Sequence, residues 1–274
     1  MSQLKQLFDL KLLKKRQDRA KKIGFVDFLE LLAIKQARDR IDEINRKFKK
    51  PLIIGGKAQL WFRELNMPEA RLIEDNELLG LEEKSYDLII HALSLHWYND
   101  PIGQLIQIRK ALKPDGLMLA FLFGGETLKE LRSAFKQAET LNENGISPRV
   151  APMADLEELG KLMLRSGLNL SVVDKNNFEV LYENPIKLFY DLRGMGETNI
   201  MLQRRRTMLK RKTLNSVLDF YLKNFSSDKD KKRVKATFEI ICLTGWAYSN
   251  NQQKPLVPGS ATNHLSEILG SRQL

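Results

Sequence analysis

Three features are scarce or absent in this sequence, and each absence narrows what it can encode. The 274 residues include a single cysteine, Cys242, so an internal disulfide is excluded and a reducing compartment is favoured. No run of about 18 apolar residues occurs, so no membrane-spanning helix is expected. Residues 1–22 are charged throughout and contain no apolar signal core. We therefore expect a cytoplasmic protein without a transmembrane segment.

Positive charge is in excess. The chain carries 45 Lys and Arg against 34 Asp and Glu, a formal net charge of +11. Such an excess favours anionic partners (nucleic acid, acidic lipid or an acidic protein), whereas the alternative is a solvated surface without a specific site. The densest basic cluster spans 204–212. Because neither aromatic residues nor a nucleic-acid motif accompany it, we expect no specific nucleic-acid partner. A protein contact and a solvated helix face remain its two interpretations.

Hydrophobic residues make up 43% of the chain, enough for a sizeable core, and residues 85–125 indicate how part of it is organised. The apolar run Leu88–Ile90 is typical of a strand buried on both faces. Pro101 begins a segment with apolar residues at helical spacing as far as Leu112. Leu117–Phe123 is a second buried strand. Strand, helix and strand together predict a parallel βαβ unit.

The same residues carry a resemblance. The strand YDLII, the loop SLHW, the helix end LKPDG and the junction GGETL resemble the second half of class I S-adenosylmethionine-dependent methyltransferases. They resemble one branch more closely still: the methyltransferase-like proteins related to the mitochondrial complex I assembly arginine hydroxylase and its alphaproteobacterial relatives. That branch is itself similar to the malonyl-carrier-protein methyltransferases of biotin synthesis.

The resemblance implies an α/β fold, a Rossmann-like three-layer α/β/α sheet of class I methyltransferase type with N-terminal helices and a helical cap inserted before the last strand. The expected parts are an N-terminal helical lid (1–50), a methyltransferase-like domain (51–183 and 234–248), the cap (184–233) and a C-terminal tail (249–274). The lid interpretation rests on an amphipathic basic pattern from Leu4 to Ala20, and the alternative is a helix docked on the sheet.

Other segments give simpler predictions. Residues 25–48 predict a second helix, and Leu170–Asp174 and Phe178–Tyr182 predict two strands. Val234–Trp246 predicts a final strand that pairs antiparallel, in which Cys242 is an inert core thiol. The tail 252–261 predicts an extended segment.

A strand ending in Gly55-Gly56 is the candidate cofactor turn. Glycines allow a ligand to approach the backbone closely, and the following helix offers free N–H groups. In the resembled family this turn holds the carboxypropyl end of S-adenosylmethionine. Here Ile53 and Gln59 replace an acidic residue and a further glycine of the family pattern, so the turn is a weak copy.

One strand-like piece, Ala70–Ile73, stands where the family has two. By its position it would be the strand whose acid holds the ribose, but residues 73–88 resemble the adenine-side segment, which we favour. The resemblance then places Asp75 near the adenine amino group, although helix capping by Asp75 or Asn76 is an alternative. The expected cofactor-binding residues are Gly55, Gly56, Asp75, Asn76, His91 and Ala92.

The substrate side is predicted from the loop after the buried strand Leu88–Ile90 and from the cap. His96 can bind substrate, move a proton or simply pack, whereas for Trp97 we favour packing. The pattern DLR-x-MG-x-TN matches the family and assigns Asp191, Arg193 and Asn199 to a substrate-side cap. We expect no metal, and we assign no catalytic residue because methyl transfer depends mainly on positioning.

The implied function is that of an S-adenosylmethionine-dependent methyltransferase-like protein. It would act on a protein or carrier-protein substrate and be linked to respiratory complex I assembly, where the family's characterised members hydroxylate an arginine of a complex I subunit. The alternative is a catalytically inactive assembly factor with a degenerate cofactor site. The expected location is the bacterial cytoplasm, either free or peripheral to the inner membrane.

Overall fold

A six-stranded sheet forms the centre of the computed structural model, which describes residues 6–227, 230, 232–253 and 259–260. The strand order is β2-β1-β3-β4-β6-β5. Strands β1 to β4 pair in parallel, and β6 pairs antiparallel with both β4 and β5. The strands are β1 (Pro51–Ile54), β2 (Arg71–Ile73), β3 (Tyr86–His91), β4 (Leu112–Phe123), β5 (Asn169–Tyr182) and β6 (Val234–Trp246).

Helices cover both faces of the sheet. In the described part of the chain they are α1 (Leu10–Ile23), α2 (Phe28–Glu43), α3 (Ala58–Leu65), α4 (Pro101–Ala111), α5 (Lys129–Asn142), α6 (Leu156–Ser166), α7 (Pro185–Met195) and α8 (Arg211–Asn224). Helices α4 and α6 pack on the face that Leu52 and Ile54 present, whereas α2, α3, α5, α7 and α8 pack on the face of Ile53. Neighbouring residues of a strand point to opposite faces. The predicted three-layer α/β/α architecture is therefore confirmed.

Local sequence explains where several helices begin. The Asp9 carboxylate accepts a hydrogen bond from the Leu12 N–H at 3.0 Å and so caps α1. Asp100 caps α4 directly before Pro101, a residue that suits the first helical position. Asp155 and Glu158 form a capping box at the start of α6. These side chains satisfy N–H groups that a helix itself leaves without partners.

The βαβ prediction for residues 85–125 is confirmed, because β3 and β4 are parallel and α4 connects them. The predicted bounds were wrong, since α4 ends at Ala111 and residues 112–116, expected to end the helix, already belong to β4. The antiparallel final strand is confirmed as β6, and Cys242 is fully buried in it. Burial raises the pKa of the Cys242 thiol to about 12, consistent with an inert thiol.

Two further predicted elements need correction. The two strands expected at 170–174 and 178–182 are one continuous strand, β5, because Lys175–Asn177 stay in register with β6 despite their polarity. Pairing with a long partner strand outweighs the low strand propensity of these residues. The second helix is shorter than 25–48, since α2 spans Phe28–Glu43.

The predicted cap region contains α7 and α8, with an irregular segment at 196–210 between them. Gly196 ends α7 in a left-handed conformation, with φ 83°. The chain then pairs with the N-terminal segment through an isolated bridge between Phe8 and Met201. The predicted division into lid, domain, cap and tail stays a prediction. Residues 1–5 and most of the predicted tail lie outside the described residues.

Within the described ranges, every helix is too short or too polar to cross a lipid bilayer.

Candidate functional site

The carboxyl ends of the parallel strands meet at one edge of the sheet, where ligands of such folds usually bind. Helix α1 lies across this edge. Its Lys14 Nζ is 3.1 Å from a carboxylate oxygen of Glu74, which follows β2. Its Gln17 carboxamide lies beside Gly56, which follows β1. The helix thus covers the ends of β1 and β2.

The predicted cofactor turn is in close contact with other parts of the chain. A Cβ added to Gly55 would lie 3.0 Å from the Cβ of Ala92, and one added to Gly56 would lie 3.1 Å from Gln17 Nε2. Gly55, with φ 150° and the Ala92 backbone oxygen also at 3.0 Å, therefore requires glycine, whereas at Gly56 a side chain would need only a small shift of the flexible Gln17. The close approach that the glycines permit is used here by α1 and by the loop after β3.

A buried ion pair lies next to the turn. Lys57 Nζ is 3.4 Å from Glu30, and the Trp61 indole N–H donates a 2.6 Å hydrogen bond to the same carboxylate. Burial raises the pKa of Glu30, while the Lys57 charge and the Trp61 hydrogen bond oppose that rise. Glu30, Lys57 and Glu197 line a remaining void of about 10 Å³. The space between α2, Lys57 and Glu197 is therefore nearly filled by a paired, hydrogen-bonded network, whereas a separate cleft of about 640 Å³, lined among others by Gly56, Lys57 and Gln59, lies beside the turn along α3.

Asp75 lies at the carboxyl end of β2, and its Oδ2 is buried without a hydrogen-bond partner in the part of the chain that the structure describes. Burial, then the nearby Asp75 charge and a hydrogen bond to the Asp75 side chain, raise the pKa of the Tyr98 hydroxyl, so among the described residues only the Oδ2 atom of Asp75 is without a donor. A buried acceptor without a donor is costly unless a ligand or water satisfies it. Asp75 is thus the predicted cofactor residue whose geometry most favours contact with a ligand.

The other predicted cofactor residues are held by the protein itself. His91 is fully buried; its Nε2 lies 2.8 Å from Gln104 Oε1, and burial lowers its pKa. Gln104 also donates to the backbone carbonyl of Asn76 at 2.9 Å. Ala92 is buried against Gly55. These contacts join the ends of β2 and β3.

The sheet topology bears on whether β2 corresponds to the ribose-side or to the adenine-side strand of the family. Strand β2 pairs directly with β1, on the side opposite β3. This is the position expected for the ribose-side strand, whereas the residues after β2 resemble the adenine-side segment. What Asp75 contacts in a ligand stays a prediction.

On the substrate side, His96 and Trp97 converge on one carboxylate. His96 Nε2 is 3.2 Å and Trp97 Nε1 2.7 Å from the same oxygen, Oε2 of Glu197. The Phe123 N–H points at His96 Nδ1 at 3.4 Å. Because Nδ1 accepts this N–H, we assign the ring proton to Nε2, which donates to Glu197. His96 therefore positions Glu197 and has no free lone pair with which to take a proton.

Glu197 borders a cavity of about 160 Å³ beyond the end of β4. Arg193 and Asn199 also line this cavity, and Asn199 Nδ2 donates to the Pro148 carbonyl at 2.6 Å. Most of the remaining wall is apolar and comes from Trp97, Phe123, Leu128, Leu131, Val150, Ala151, Met153, Phe189, Leu192 and Phe238. Such a cavity excludes water while presenting a few polar groups, as ligand sites commonly do.

Asp191 is the predicted substrate-side residue that lies apart from this group. The pKa of the Tyr182 hydroxyl is raised mainly by burial and, to a smaller extent, by the charge of Asp191. On helix α7, Asp191 is two residues from Arg193, so the two side chains point in different directions.

Sequence reasoning missed Glu197, which occupies the second variable position of DLR-x-MG-x-TN. The available clue was an acidic residue directly after a glycine that ends a helix. Gly196 redirects the chain there, and the Glu197 N–H bonds back to Leu192 at 3.0 Å.

Comparisons with known proteins agree with this architecture. A family model described as "Methyltransferase domain" matches residues 57–120. The match begins after β1 and the Gly55-Gly56 turn, so neither is part of it.

Three curated relatives have similar sequences. The mouse protein "Arginine-hydroxylase NDUFAF5, mitochondrial" is 37% identical over 205 residues, which cover 75% of this chain and 59% of the relative. "Putative methyltransferase RP459" of Rickettsia prowazekii (strain Madrid E) is 32% identical over 158 residues, 58% of this chain and 70% of the relative. "Malonyl-[acyl-carrier protein] O-methyltransferase" of Xylella fastidiosa (strain M23) is 29% identical over 180 residues, 66% of this chain and 58% of the relative. The chain thus spans about three fifths of the mouse relative.

Proposed function

The chain belongs to the S-adenosylmethionine-dependent methyltransferase-like family, in the branch of the mitochondrial arginine hydroxylases, and from this premise we propose that it catalyses group transfer to a protein or carrier-protein substrate. Methyl transfer is the reaction that we propose first. Following the family resemblance, we propose an arginine-bearing subunit of respiratory complex I or an acyl-carrier protein as the substrate.

A methyltransferase domain implies S-adenosylmethionine as the cofactor, and some residues fit it. The unpartnered Oδ2 of Asp75 suits a hydroxyl or amino group of the adenosine, and the glycine backbone at 55–56 suits a closely approaching ligand. The Gln17 side chain lies over Gly56, so the proposal requires α1 to act as a lid that moves aside. Asp75, Gly55 and Gly56 would then hold the cofactor.

When bound, S-adenosylmethionine supplies a methyl carbon on a positively charged sulfur. The protein must bring a nucleophile into line and exclude water. The Glu197 carboxylate, fixed by His96 and Trp97 at the wall of an apolar cavity, is the observation that carries the proposal. In this role Glu197 accepts the proton that the nucleophile loses when its new bond to carbon forms.

Calorimetric titration with S-adenosylmethionine tests the cofactor site. We expect saturable binding by the wild type and at least about a tenfold lower affinity for Asp75→Ala, because a hydrogen bond to a carboxylate is lost. We expect Gln17→Ala to bind as tightly as the wild type or more tightly, because the turn is uncovered. The exposed Lys14→Ala variant on the same helix is the matched control and should bind as the wild type does.

Transfer of labelled methyl groups to candidate acceptor proteins tests the role of Glu197. We expect Glu197→Gln to lower the rate by about 100-fold or more, the usual range for a lost general base, with cofactor affinity unchanged. A Glu197→Gln variant that transfers methyl groups at the wild-type rate would contradict this role.

A second candidate function, a non-catalytic assembly factor, is favoured by a separate observation. The Glu30–Lys57 pair and Gln17 occupy the space directly beyond Gly55 and Gly56, which leaves the nearest cleft beside the turn along α3. If neither the wild type nor Gln17→Ala shows heat or a thermal shift at millimolar S-adenosylmethionine, this second function replaces the first.

A further inference from the structure

A wider cavity opens beside the one that Glu197 borders, and most of its wall consists of arginine side chains. Its volume is about 580 Å³, and it shares Arg149, Arg193, Thr198 and Asn199 with the smaller cavity. The rest of its lining is Arg16, Arg19, Phe135, Arg204, Arg205 and Arg206. We call this cavity the arginine vestibule.

The arginines come from segments that are distant in the sequence. Arg16 and Arg19 are three residues apart on α1, so they share one face of that helix. Arg193 comes from α7, and 204–206 belong to the irregular segment after it. The N-terminal lid and the cap therefore build the vestibule together.

Carboxylates compensate only some of this charge. Arg149 pairs with Glu139 at 2.7 Å, Arg205 with Glu143 at 3.0 Å, and Arg204 lies 3.8 Å from Asp9. Within the described ranges, no carboxylate lies within ion-pair distance of the four others, Arg16, Arg19, Arg193 and Arg206. About four positive charges thus face one cavity without a counter-ion from the protein.

Buried donors in the same wall also lack partners. Nε of Arg16, Nε and Nη2 of Arg19 and Oγ1 of Thr198 are buried without a hydrogen bond to any described residue. Burial, together with the charges of Arg16 and Arg193, lowers the pKa of Arg19. Buried donors are almost always satisfied in folded proteins, so this set is arranged for an acceptor that the chain does not provide.

We propose that the arginine vestibule is a binding site for a small molecule that carries phosphoryl groups with at least two negative charges. Guanidinium groups match phosphate oxygens with paired N–H donors, and several converging arginines favour a multiply charged group over a single carboxylate. The adjoining apolar cavity has room for an uncharged part of the same molecule. The inference goes beyond the proposed function, because it assigns a phosphoryl ligand that neither the Gly55-Gly56 turn nor Glu197 would bind, at a site that shares four wall residues with the Glu197 cavity.

Calorimetric titration with inorganic pyrophosphate at low and at physiological salt tests this site on the full chain. We expect saturable binding with one site per chain, and a loss of affinity of about tenfold or more in Arg19→Gln and in Arg193→Gln. The matched control is Arg211→Gln, which removes an exposed charge of α8 outside the vestibule and should change the affinity by less than about threefold.

Thermal unfolding separates binding from folding. Arg19→Gln relieves repulsion, so without ligand its melting temperature should equal or exceed that of the wild type. At one pyrophosphate concentration the ligand should raise the melting temperature of Arg19→Gln less than that of the wild type and of the control. If Arg19→Gln does not fold, exposed Arg193→Gln gives the same test. An absence of saturable binding at millimolar pyrophosphate would overturn the proposal. An equal loss of pyrophosphate affinity in Arg211→Gln would also overturn the proposal, because the binding would then come from the positive charge of the whole surface rather than from the vestibule.

Discussion

Two regions of the same sheet edge differ sharply. At the ends of β1 and β2, Gln17 covers the glycine turn and the Glu30–Lys57 pair fills the space behind it. Beyond β4, cavities of about 160 and 580 Å³ remain between the sheet, α1 and the cap. The space directly beyond the family motif is therefore occupied by side chains, and a cleft of about 640 Å³ opens beside it along α3. The cavities beyond β4 lie where the sequence has no glycine motif.

The two regions also differ in whether their buried charged groups have partners within the protein. In the filled region a buried carboxylate and a buried ammonium compensate each other, and an indole N–H adds a hydrogen bond. In the arginine vestibule, positive charges face one another and several donors lack acceptors. A paired buried charge is satisfied within the protein, whereas a cluster of unpaired ones is the feature on which the proposed ligand site rests.

The largest expected effect comes from breaking the filled region. Lys57→Met leaves Glu30 buried without its counter-charge, so the free energy of unfolding should fall by about 3–5 kcal/mol near neutral pH. Burial already raises the pKa of Glu30, and removing Lys57 raises it further. The destabilisation caused by Lys57→Met should therefore grow as the pH rises above 4.5, the ordinary pKa of a glutamate, and shrink as the pH falls towards that value. Urea denaturation at pH 7 and at pH 5 measures this difference.

The double variant Glu30→Gln/Lys57→Met is the control for that experiment. It removes both charges, and so it should regain most of the lost stability. A double variant as unstable as the single one would assign the loss to packing rather than to charge.

A smaller effect is expected where Glu143 anchors the basic segment of the open region. Glu143 accepts from Thr213 Oγ1 and pairs with Lys210 and Arg205, and these contacts lower its pKa to about 2. A lowered carboxyl pKa adds stability that is complete above the ordinary value of 4.5 and is lost as the pH falls towards 2. Glu143→Gln should therefore have a lower urea midpoint than the wild type at pH 7, and the difference should narrow between pH 5 and pH 2. A difference that stays constant over this range would show that the anchor is not electrostatic.

The smallest effect is expected from Lys14→Ala, which removes the ion pair between α1 and the segment after β2. Both partners are 68% exposed, and such surface pairs contribute little because water screens them. The melting temperature should equal that of the wild type within error. A clear decrease would mean that charge, rather than packing, holds α1 over the filled region.

Much of the fold could be predicted because its pattern is local. The run Leu88–Ile90, the helical spacing after Pro101 and the final strand around Cys242 depend on neighbouring residues, and all three predictions are confirmed. The break predicted near Lys175–Asn177 was wrong because pairing with β6, more than 50 residues away, outweighed local propensity.

The candidate site was less predictable. His96 and Trp97 were selected from their loop at the sheet edge, and Arg193 and Asn199 by resemblance. The structure places Trp97, Arg193 and Asn199 around one cavity, and His96 bonds to Glu197 in the wall of that cavity. Glu197, which holds His96 and Trp97, was missed because an isolated glutamate in a sequence carries no information about which side chains will donate to it.

The sequence alone determined the alternation of strands and helices, the burial of the central strands and the family to which the chain belongs, because each of these follows from short runs of neighbouring residues. Only the tertiary structure decided which ligand space stays open. Gln17 and Gly56, or Arg19 and Arg193, are far apart along the chain, and their contact depends on how α1 and α7 pack over the sheet edge. Burial then determines whether the charges brought together there are paired or left for a ligand.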